Sequence, residues 1–269
     1  MLVLSIILGL LFVLLLLVIF NPRRYSPAVI KYTVIIPGLP ARFHGFSILQ
    51  LTDLHSKRFG PRQLHLVRAI RAHRYNIVAL TGDFINKYNP DPEPFFELME
   101  QLQGKPAYFV PGNHEWNTGF KYRNRLAAAG IRILENEAEK IYIGQEFIWL
   151  AGVDDPHLGR ARLAKALQKT DNETPRVLLA HSPTIFPEAA AGGVDLVLSG
   201  HTHGGQVRLP GIGALLVPGQ GLFPKWDYGL YQNRGTTMIV SGGLGESDLP
   251  IRFNIHPEVV LIELRQAPD

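Results

Sequence analysis

Two histidines stand one residue apart in the segment SGHTHGGQ, where His201 and His203 are surrounded by three glycines. Imidazole is the commonest metal ligand in proteins, and glycine lets the backbone turn sharply and come close to a bound group. A surface loop rarely needs two imidazoles on so bare a piece of backbone. A metal site needs both, provided that other ligands arrive from elsewhere in the chain.

Four other segments place ligand-type side chains directly after an apolar run: DLH, GD, GNHE and a single histidine after VLLA. Together with GHTH they supply the candidate metal ligands Asp53, His55, Asp83, Asn113, His181, His201 and His203. Four imidazoles, two carboxylates and one amide are too many for one tetrahedral ion and suit two. Nitrogen and oxygen ligands without sulfur indicate manganese, iron or zinc. We therefore expect two divalent ions, with manganese favoured and iron or zinc as the alternatives.

The charge of such a centre suits a phosphate group. Two divalent ions bring about +4, which two carboxylates and a bridging hydroxide reduce to roughly +1. A pair of ions ~3.5–4 Å apart can generate hydroxide at neutral pH and hold a phosphoryl group for in-line displacement. Each segment alone has an ordinary alternative, since Gly-Asp after a strand is often just a turn. Five segments in order, all at predicted strand ends, favour one common metal site.

The elements that must position these residues follow from the apolar periodicity. Strand-like runs cover 46–52, 77–83 and 107–113, and denser strands follow further along the chain. Helical patterns cover 61–74, 92–103, 120–129 and 158–170. Open α/β sheets gather their sites at the carboxyl ends of the strands. The pattern predicts a layered α/β fold with two sheets inside and helices outside.

Composition excludes several classes of protein. The chain has 269 residues, of which 46% are hydrophobic, so it can bury a large core. It has no cysteine, which removes disulfides, thiolate metal sites and thiol catalysis. Lys and Arg exceed Asp and Glu by only 27 to 23, without a basic block, so no nucleic-acid partner is expected. A His-Glu-x-x-His metalloprotease is excluded because the motif is missing.

The N-terminal segment predicts a membrane anchor. Residues 2–20 carry no charge, and a helix of this length spans about 29 Å. A core helix or a cleaved signal peptide are the alternatives, but no basic region precedes the run. Arg23 and Arg24 follow it, which favours a cytoplasmic catalytic domain. We expect a transmembrane anchor at 1–21, a linker and first strand at 22–44, a catalytic domain at 45–269, and single-pass localisation in the inner (cytoplasmic) membrane.

The ordered set DLH, GD, GNHE, H and GHTH resembles the calcineurin-like metallophosphoesterases from about Phe46 to the tail. That resemblance implies a four-layer α/β/β/α sandwich. It implies one metal bound by Asp53, His55, Asp83 and His203. It implies a second metal bound by Asp83, Asn113, His181 and His201, with Asp83 bridging. It also implies two catalytic residues: His114, which stabilises charge on the phosphate or protonates the leaving oxygen, and Glu115, which orients His114.

The tail PIRFNIHPEVVLIEL resembles the bacterial membrane-associated branch of that family, some members of which hydrolyse UDP-2,3-diacylglucosamine in lipid A synthesis. This implies hydrolysis of a phosphodiester or pyrophosphate, with a phosphorylated small molecule or a lipid-linked nucleotide sugar as substrate and the membrane as partner. The alternatives are a protein or nucleotide phosphatase or phosphodiesterase of broad specificity, and a non-catalytic membrane scaffold. One departure is Asn86, which stands where many relatives carry the last Asp of Gly-Asp-x-x-Asp.

Several residues and one segment have two possible interpretations from the sequence. Trp116 either stacks on a base or packs in the fold. The apolar, glycine-rich run 209–226 is either a loop packed on the core or a lip for a membrane or an acyl chain. Three basic residues either hold a phosphate or begin a solvated helix: Lys57, Arg58 and Arg62. Five histidines lack motif context and are predicted to be structural or exposed: His44, His65, His73, His157 and His256.

Overall fold

The computed structural model describes residues 5, 6, 9, 12, 26–209, 211–214, 216–217, 220–247 and 251–268. Most of the predicted anchor at 1–21 therefore lies outside the described residues. A membrane-spanning helix needs about 20 consecutive apolar residues. No helix within the described ranges is both long and apolar enough to cross a bilayer. This finding corrects the predicted localisation as a single-pass membrane protein.

Two six-stranded sheets form the centre of the fold. The first contains, in spatial order, β1 (Ala28–Ile36), β16 (Glu258–Gln266), β2 (Ser47–Leu51), β3 (Ile77–Leu80), β4 (Ala107–Phe109) and β5 (Arg132–Ile133). The second contains β14 (Gly229–Asn233), β15 (Thr236–Val240), β9 (Leu196–Ser199), β8 (Arg176–Leu179), β7 (Glu146–Gly152) and β6 (Glu137–Ile143). Strands β2 to β5 are parallel, as are β7, β8, β9 and β15. Parallel strands end at the same edge, so each sheet offers one edge for a site.

Helices cover the outer faces of both sheets. They are α1 (Leu64–Arg71), α2 (Glu93–Gln101), α3 (Asn113–Asn117), α4 (Arg123–Ala128), α5 (Leu163–Ala166) and α6 (Phe186–Ala191). Leu49 of β2 packs towards the helices, whereas Ile48 packs towards the opposite sheet. This alternation is the period of two expected for a strand buried on both faces. The layers are therefore helix, sheet, sheet and helix, as predicted.

Some predicted elements are shorter in the structure. The predicted helix at 158–170 contracts to Leu163–Ala166, because residues 155–160 form a tight loop instead. The predicted helix at 61–74 divides into a short turn, Pro61–Gln63, and the helix Leu64–Arg71. The division lies where Arg62 and Gln63 adopt left-handed backbone conformations, which no regular helix contains.

Two small hairpins follow the carboxyl end of β9 in the second sheet. They are β10 (Arg208–Leu209) with β11 (Gly213–Ala214), and β12 (Leu216–Val217) with β13 (Gly221–Leu222). They pack on the 3-10 turn His203–Gly205, where a Cβ at Gly205 would overlap Ala214. Leu216, Leu222 and Phe223 nevertheless remain exposed. The described residues of the run 209–226 are thus anchored on the core and still present an apolar surface.

Candidate metal centre

The structure brings six of the seven candidate ligands into one cluster, and the seventh, Asn113, directly precedes His114 beside it. The first sheet supplies residues after β2, β3 and β4, and the second sheet supplies residues after β8 and β9. Every one of these side chains is buried. The two edges are joined directly, since the Asp53 carboxylate accepts a hydrogen bond from the His201 amide at 3.0 Å, and Gln50 donates to the Ser199 carbonyl at 2.9 Å.

One half of the cluster consists of Asp53, His55 and His203. The Nε2 atoms of His55 and His203 lie 3.0 Å apart. Asp53 Oδ1 lies 3.8 Å from His55 Nε2 and 3.6 Å from His203 Nε2. Three ligand atoms that converge at these distances enclose the volume of one ion.

The other half consists of Asp83, His181 and His201. Asp83 Oδ2 lies 3.2 Å from His181 Nε2, which is 3.1 Å from His201 Nδ1. The same Asp83 oxygen lies 3.8 Å from His55 Nε2. Asp83 therefore lies between the halves, and the adjacent histidines His201 and His203 belong to different halves.

Backbone carbonyls fix how two of the imidazoles face the cluster. His181 Nδ1 lies 2.8 Å from the Thr81 carbonyl, and His203 Nδ1 lies 3.2 Å from the Gly245 carbonyl. A carbonyl oxygen can only accept, so each Nδ1 carries the proton and donates. In the neutral ring, the lone pair of Nε2 then points at the cluster. This is the usual support that orients a metal-binding histidine.

Three buried atoms test whether metal ions fit the site. Asn113 Oδ1, His55 Nδ1 and His201 Nε2 have no hydrogen-bond partner among the described residues. A buried polar atom without a partner is costly and needs an explanation. Two of the three belong to side chains that aim a second nitrogen at the cluster. Asn113 directly precedes His114, whose amide donates to Asp83. A donor set of imidazole, carboxylate and amide fits a pair of divalent ions.

Backbone strain is concentrated in the same residues. Five of the seven candidate ligands have a positive φ: Asp53, His55, Asp83, His201 and His203. Such conformations cost of order 1–3 kcal/mol each and persist where the surroundings impose them.

Glycine precedes three candidate ligands for a steric reason. A Cβ at Gly112 would overlap the Asp83 carboxylate, and a Cβ at Gly200 would overlap Thr52 and Asp53.

The electrostatics keep several of the candidate ligands in the form that binds metal. Burial alone would raise the pKa of Asp83, but the charge and hydrogen bond of His181 hold it well below its usual range. Burial lowers the pKa of His201 to about 3, helped by the charge of His181. Burial also lowers the pKa of His203 well below its usual range. Metal binding requires ionised carboxylates and neutral imidazoles. The shifts of Asp83, His201 and His203 supply these forms. The pKa of His181 moves the other way: burial alone would lower it, but the charge and hydrogen bond of Asp83 raise it well above its usual range, so an ion bound there would displace a proton from His181.

His114 lies beside the first half of the cluster. Its ring stacks edge-on against His55 with centroids 4.4 Å apart. The Lys87 amide donates to His114 Nδ1 at 3.0 Å, so the ring proton is on Nε2. His114 Nε2 lies 3.9 Å from Asp83 Oδ2 and thus faces the site. Burial lowers the pKa of His114 to about 4.

Glu115 has partners other than the one expected for it. Its carboxylate accepts hydrogen bonds from the amides of Asp83 (2.8 Å), Phe84 (2.9 Å) and Gly112 (2.8 Å) and from the Tyr122 hydroxyl (2.7 Å). Burial raises the pKa of Glu115 to about 7, and the charge of Asp83 adds to the shift. Glu115 therefore joins the segments that carry Asp83 and His114 and does not hydrogen-bond the His114 ring.

We expect Glu115→Ala to reduce the free energy of unfolding by about 3 kcal/mol, because it leaves buried donors unpaired. The metal centre should also bind its ions more weakly, since Asp83 loses its backbone anchor. Urea denaturation of the metal-free chain checks the first effect. Glu100→Ala is the control, because Glu100 pairs with Arg62 at the surface and should change stability little. Equal stability of the two variants would contradict this assignment.

Arg252 is a supporting residue that the sequence analysis missed. Its guanidinium is fully buried and donates to the carbonyls of Gly242 (2.8 Å), Gly243 (3.1 Å) and Gly245 (3.1 Å). The Gly245 carbonyl also accepts from His203 Nδ1. Arg252 thus holds the segment that orients a candidate ligand. The available signal was a lone arginine shortly after a glycine-rich segment, and its partners, 7 to 10 residues earlier, are backbone carbonyls that no residue type marks.

Replacement of Arg252 by methionine should lower metal affinity by about 10-fold or more, as loss of a ligand's supporting contact usually does. Arg176→Met is the matched control. Arg176 is also buried and donates to a glycine carbonyl, that of Gly193 at 2.6 Å, but at the opposite end of β8. Competition with a chromophoric chelator measures both. Equal metal affinity in the two variants would contradict a role for Arg252 in the centre.

The other polar and aromatic residues considered for substrate binding have partners within the protein. Lys57 pairs with Glu246 at 2.7 Å, and Arg58 pairs with Glu97 at 2.7 Å, which favours the structural interpretation for both. The Trp116 indole donates to Asp154 at 2.7 Å, and its ring is covered by the Arg160 guanidinium at 3.7 Å. This contact supports packing of Trp116 over stacking on a base.

The fold and the site together define a class. Two facing sheets bring imidazoles and carboxylates around one central aspartate, which is the arrangement of a metal-dependent hydrolase. The family model "Calcineurin-like phosphoesterase" matches residues 46–205. The chain belongs to the calcineurin-like phosphoesterase family and is a metal-dependent phosphoester hydrolase.

Relatives agree with this assignment. The chain is 30% identical to the uncharacterised metallophosphoesterase YkuE of Bacillus subtilis (strain 168), over 88% of this chain and 85% of the relative. It is 31% identical to an uncharacterised metallophosphoesterase of Aquifex aeolicus (strain VF5), over 90% of this chain and 94% of the relative. The solved sulfate thiohydrolase SoxB of Thermus thermophilus is similar in fold, with a TM-score of 0.50, 14% identity and coverage of 77% of this chain and 53% of that one. The comparisons establish the family and not the branch.

Proposed function

We propose that this protein hydrolyses a phosphodiester or pyrophosphate bond with a pair of divalent ions, manganese being favoured. One ion is held by Asp53, His55, Asp83 and His203, and the other by Asp83, Asn113, His181 and His201. The observation that carries the proposal is the position of Asp83 Oδ2, within 3.8 Å of an imidazole from each half of the cluster. A carboxylate in that place can serve two ions.

When bound, the ions supply Lewis-acid stabilisation of the phosphoryl group and activate water at neutral pH. The protein supplies the rest. His114 Nε2–H faces the site as a hydrogen-bond donor, and the Lys87 amide keeps the proton on that nitrogen. In this position the neutral His114 can donate a hydrogen bond to a phosphoryl oxygen. Protonation of the leaving oxygen would require the doubly protonated ring, which the lowered pKa of His114 and the Lys87 amide at Nδ1 disfavour. Glu115 holds together the segments that carry Asp83 and His114.

One observation favours a substrate with an apolar part. The two hairpins beside the turn His203–Gly205 expose Leu216, Leu222 and Phe223. An acyl chain of a lipid-linked nucleotide sugar such as UDP-2,3-diacylglucosamine would find an apolar surface there. A phosphodiesterase of broad specificity that acts on small polar substrates would not need this apolar surface. The narrower form of the proposal is therefore hydrolysis of a lipid-linked nucleotide sugar.

The test uses the purified full chain, stripped with chelator and reloaded with manganese, iron or zinc in turn. The substrates are bis-p-nitrophenyl phosphate, p-nitrophenyl phosphate, UDP-N-acetylglucosamine and UDP-2,3-diacylglucosamine. Metal-dependent cleavage of the diester, lost on chelation, supports the proposal. Preference for the diacyl over the unacylated nucleotide sugar supports its narrower form. Turnover that survives chelation would overturn the metal mechanism, and metal binding without turnover would favour the scaffold alternative.

A further inference from the structure

A sixth strand end reaches the site, and the motif set does not include it. The strand β7 leads into the segment Val153-Asp154-Asp155-Pro156-His157. The ring of His157 lies 4.6 Å from that of His201, at an interplanar angle of 40°. Among the described residues, His157 is the only histidine outside the motif set with a ring contact to a candidate ligand.

Two buried carboxylates hold the loop that carries His157. Asp155 is fully buried and accepts from the amides of His157 (3.0 Å) and Leu158 (3.3 Å). Asp154 accepts from the Trp116 indole and from Arg160 Nε at 2.8 Å. The backbone of the loop is therefore fixed on both sides of Pro156. A fixed loop gives the His157 ring a defined position beside the cluster.

His157 differs from the ligands in being exposed. The candidate ligands and His114 are all buried, whereas His157 is open to solvent. It lies beside the half that contains His201, while His114 lies beside the half that contains His55. A phosphoryl group bound across both halves would therefore face one imidazole that is not a candidate ligand in each half. An imidazole has at least one N–H donor in either protonation state.

We propose that His157 donates a hydrogen bond to a non-bridging oxygen of the substrate phosphoryl group, from the half of the cluster that His114 does not cover. The proposal rests on the phosphoesterase function proposed above, and it adds a substrate-contacting residue to it. Because the contact is to the phosphoryl group itself, it serves diesters and monoesters alike. Asp155 is the positioning residue for this contact.

The test compares His157→Ala, His157→Gln and the control His44→Ala in the full chain reloaded with manganese. His44 is exposed and lies at the end of the short turn Ala41–Phe43. We expect His157→Ala to lower kcat/KM about 10- to 100-fold on both bis-p-nitrophenyl phosphate and p-nitrophenyl phosphate, as loss of a hydrogen bond to a charged group does. Glutamine, which keeps an N–H donor, should recover part of the loss. Metal content should equal that of the wild type.

Binding of inorganic phosphate by calorimetry provides a readout that needs no turnover. We expect His157→Ala to weaken phosphate binding about 10-fold, with His44→Ala unchanged. Phosphate affinity and kcat/KM within twofold of the control would overturn the proposal. So would loss of bound manganese, which would make His157 a support for His201, or a defect confined to one ester. If the wild type hydrolyses nothing, the proposed function fails while the phosphate titration still decides the role of His157.

Discussion

Asp83→Asn lowers the metal content of the protein from about two ions per chain to one or none, and reduces kcat/KM by about 1,000-fold or more. The physical reason is that Asp83 Oδ2 lies among imidazoles of both halves, at 3.2 Å from His181 and 3.8 Å from His55. Asparagine keeps an oxygen that can accept the His114 amide, now bonded to Asp83 Oδ1 at 2.8 Å. The variant therefore removes charge and leaves the local fold in place. Metal analysis and steady-state kinetics measure the two effects.

The matched control is Asp195→Asn. Asp195 also accepts a backbone hydrogen bond, from the Arg176 amide at 2.7 Å, but it lies just before β9, at the end of the sheet away from the site. This variant should keep its metal and its activity. An Asp83→Asn protein with two ions and wild-type turnover would show that Asp83 does not join the halves.

His114→Ala should reduce kcat by about 100- to 10,000-fold while metal content stays the same, because in the proposed mechanism His114 acts on substrate and does not hold an ion. The His114 ring also lies close enough to His55 and Asp83 to share an ion with them, so metal content tests this proposal directly. The dependence on the leaving group separates the two possible roles of His114. If His114 protonates the leaving oxygen, the loss should be large for an alkyl phosphodiester and small for a p-nitrophenyl ester, whose leaving group needs no proton. If His114 only stabilises phosphoryl charge, the loss should be similar for both.

His65→Ala is the control for this variant, because His65 lies on α1 and has no motif context. Loss of a metal ion from His114→Ala, or a kcat within twofold of this control, would contradict the assigned role.

The site was predictable because its signals are local. Each candidate ligand follows a short apolar strand, and Gly112 and Gly200 directly precede ligands because no Cβ fits there. Residue type, strand end and glycine are all visible in one stretch of sequence. The layered arrangement was predictable from the order of elements, since strand-like runs alternate with helical patterns in the first half of the chain and lie closer together after it.

The supporting residues were not predictable, because the candidate ligands that they lie against or support are distant in the chain. Arg252 acts on a segment that backs His203, and neither residue's spacing reveals the other. His157 is a single histidine after a strand. The first part of the helix predicted at 158–170 is in fact a loop whose amides donate to the Asp155 carboxylate. The position of His157 beside His201 depends on how β7 and β9 are ordered in the sheet, which short motifs do not specify.

The most direct test of this account is the metal stoichiometry of the full chain after reloading and removal of free ions, measured by plasma mass spectrometry beside a protein assay. The account predicts about two divalent ions per chain, about one in Asp53→Asn and in His181→Ala, and none above background after chelation. A wild-type protein that retains no ion, or one that retains both ions when Asp53 and His181 are replaced together, would contradict it.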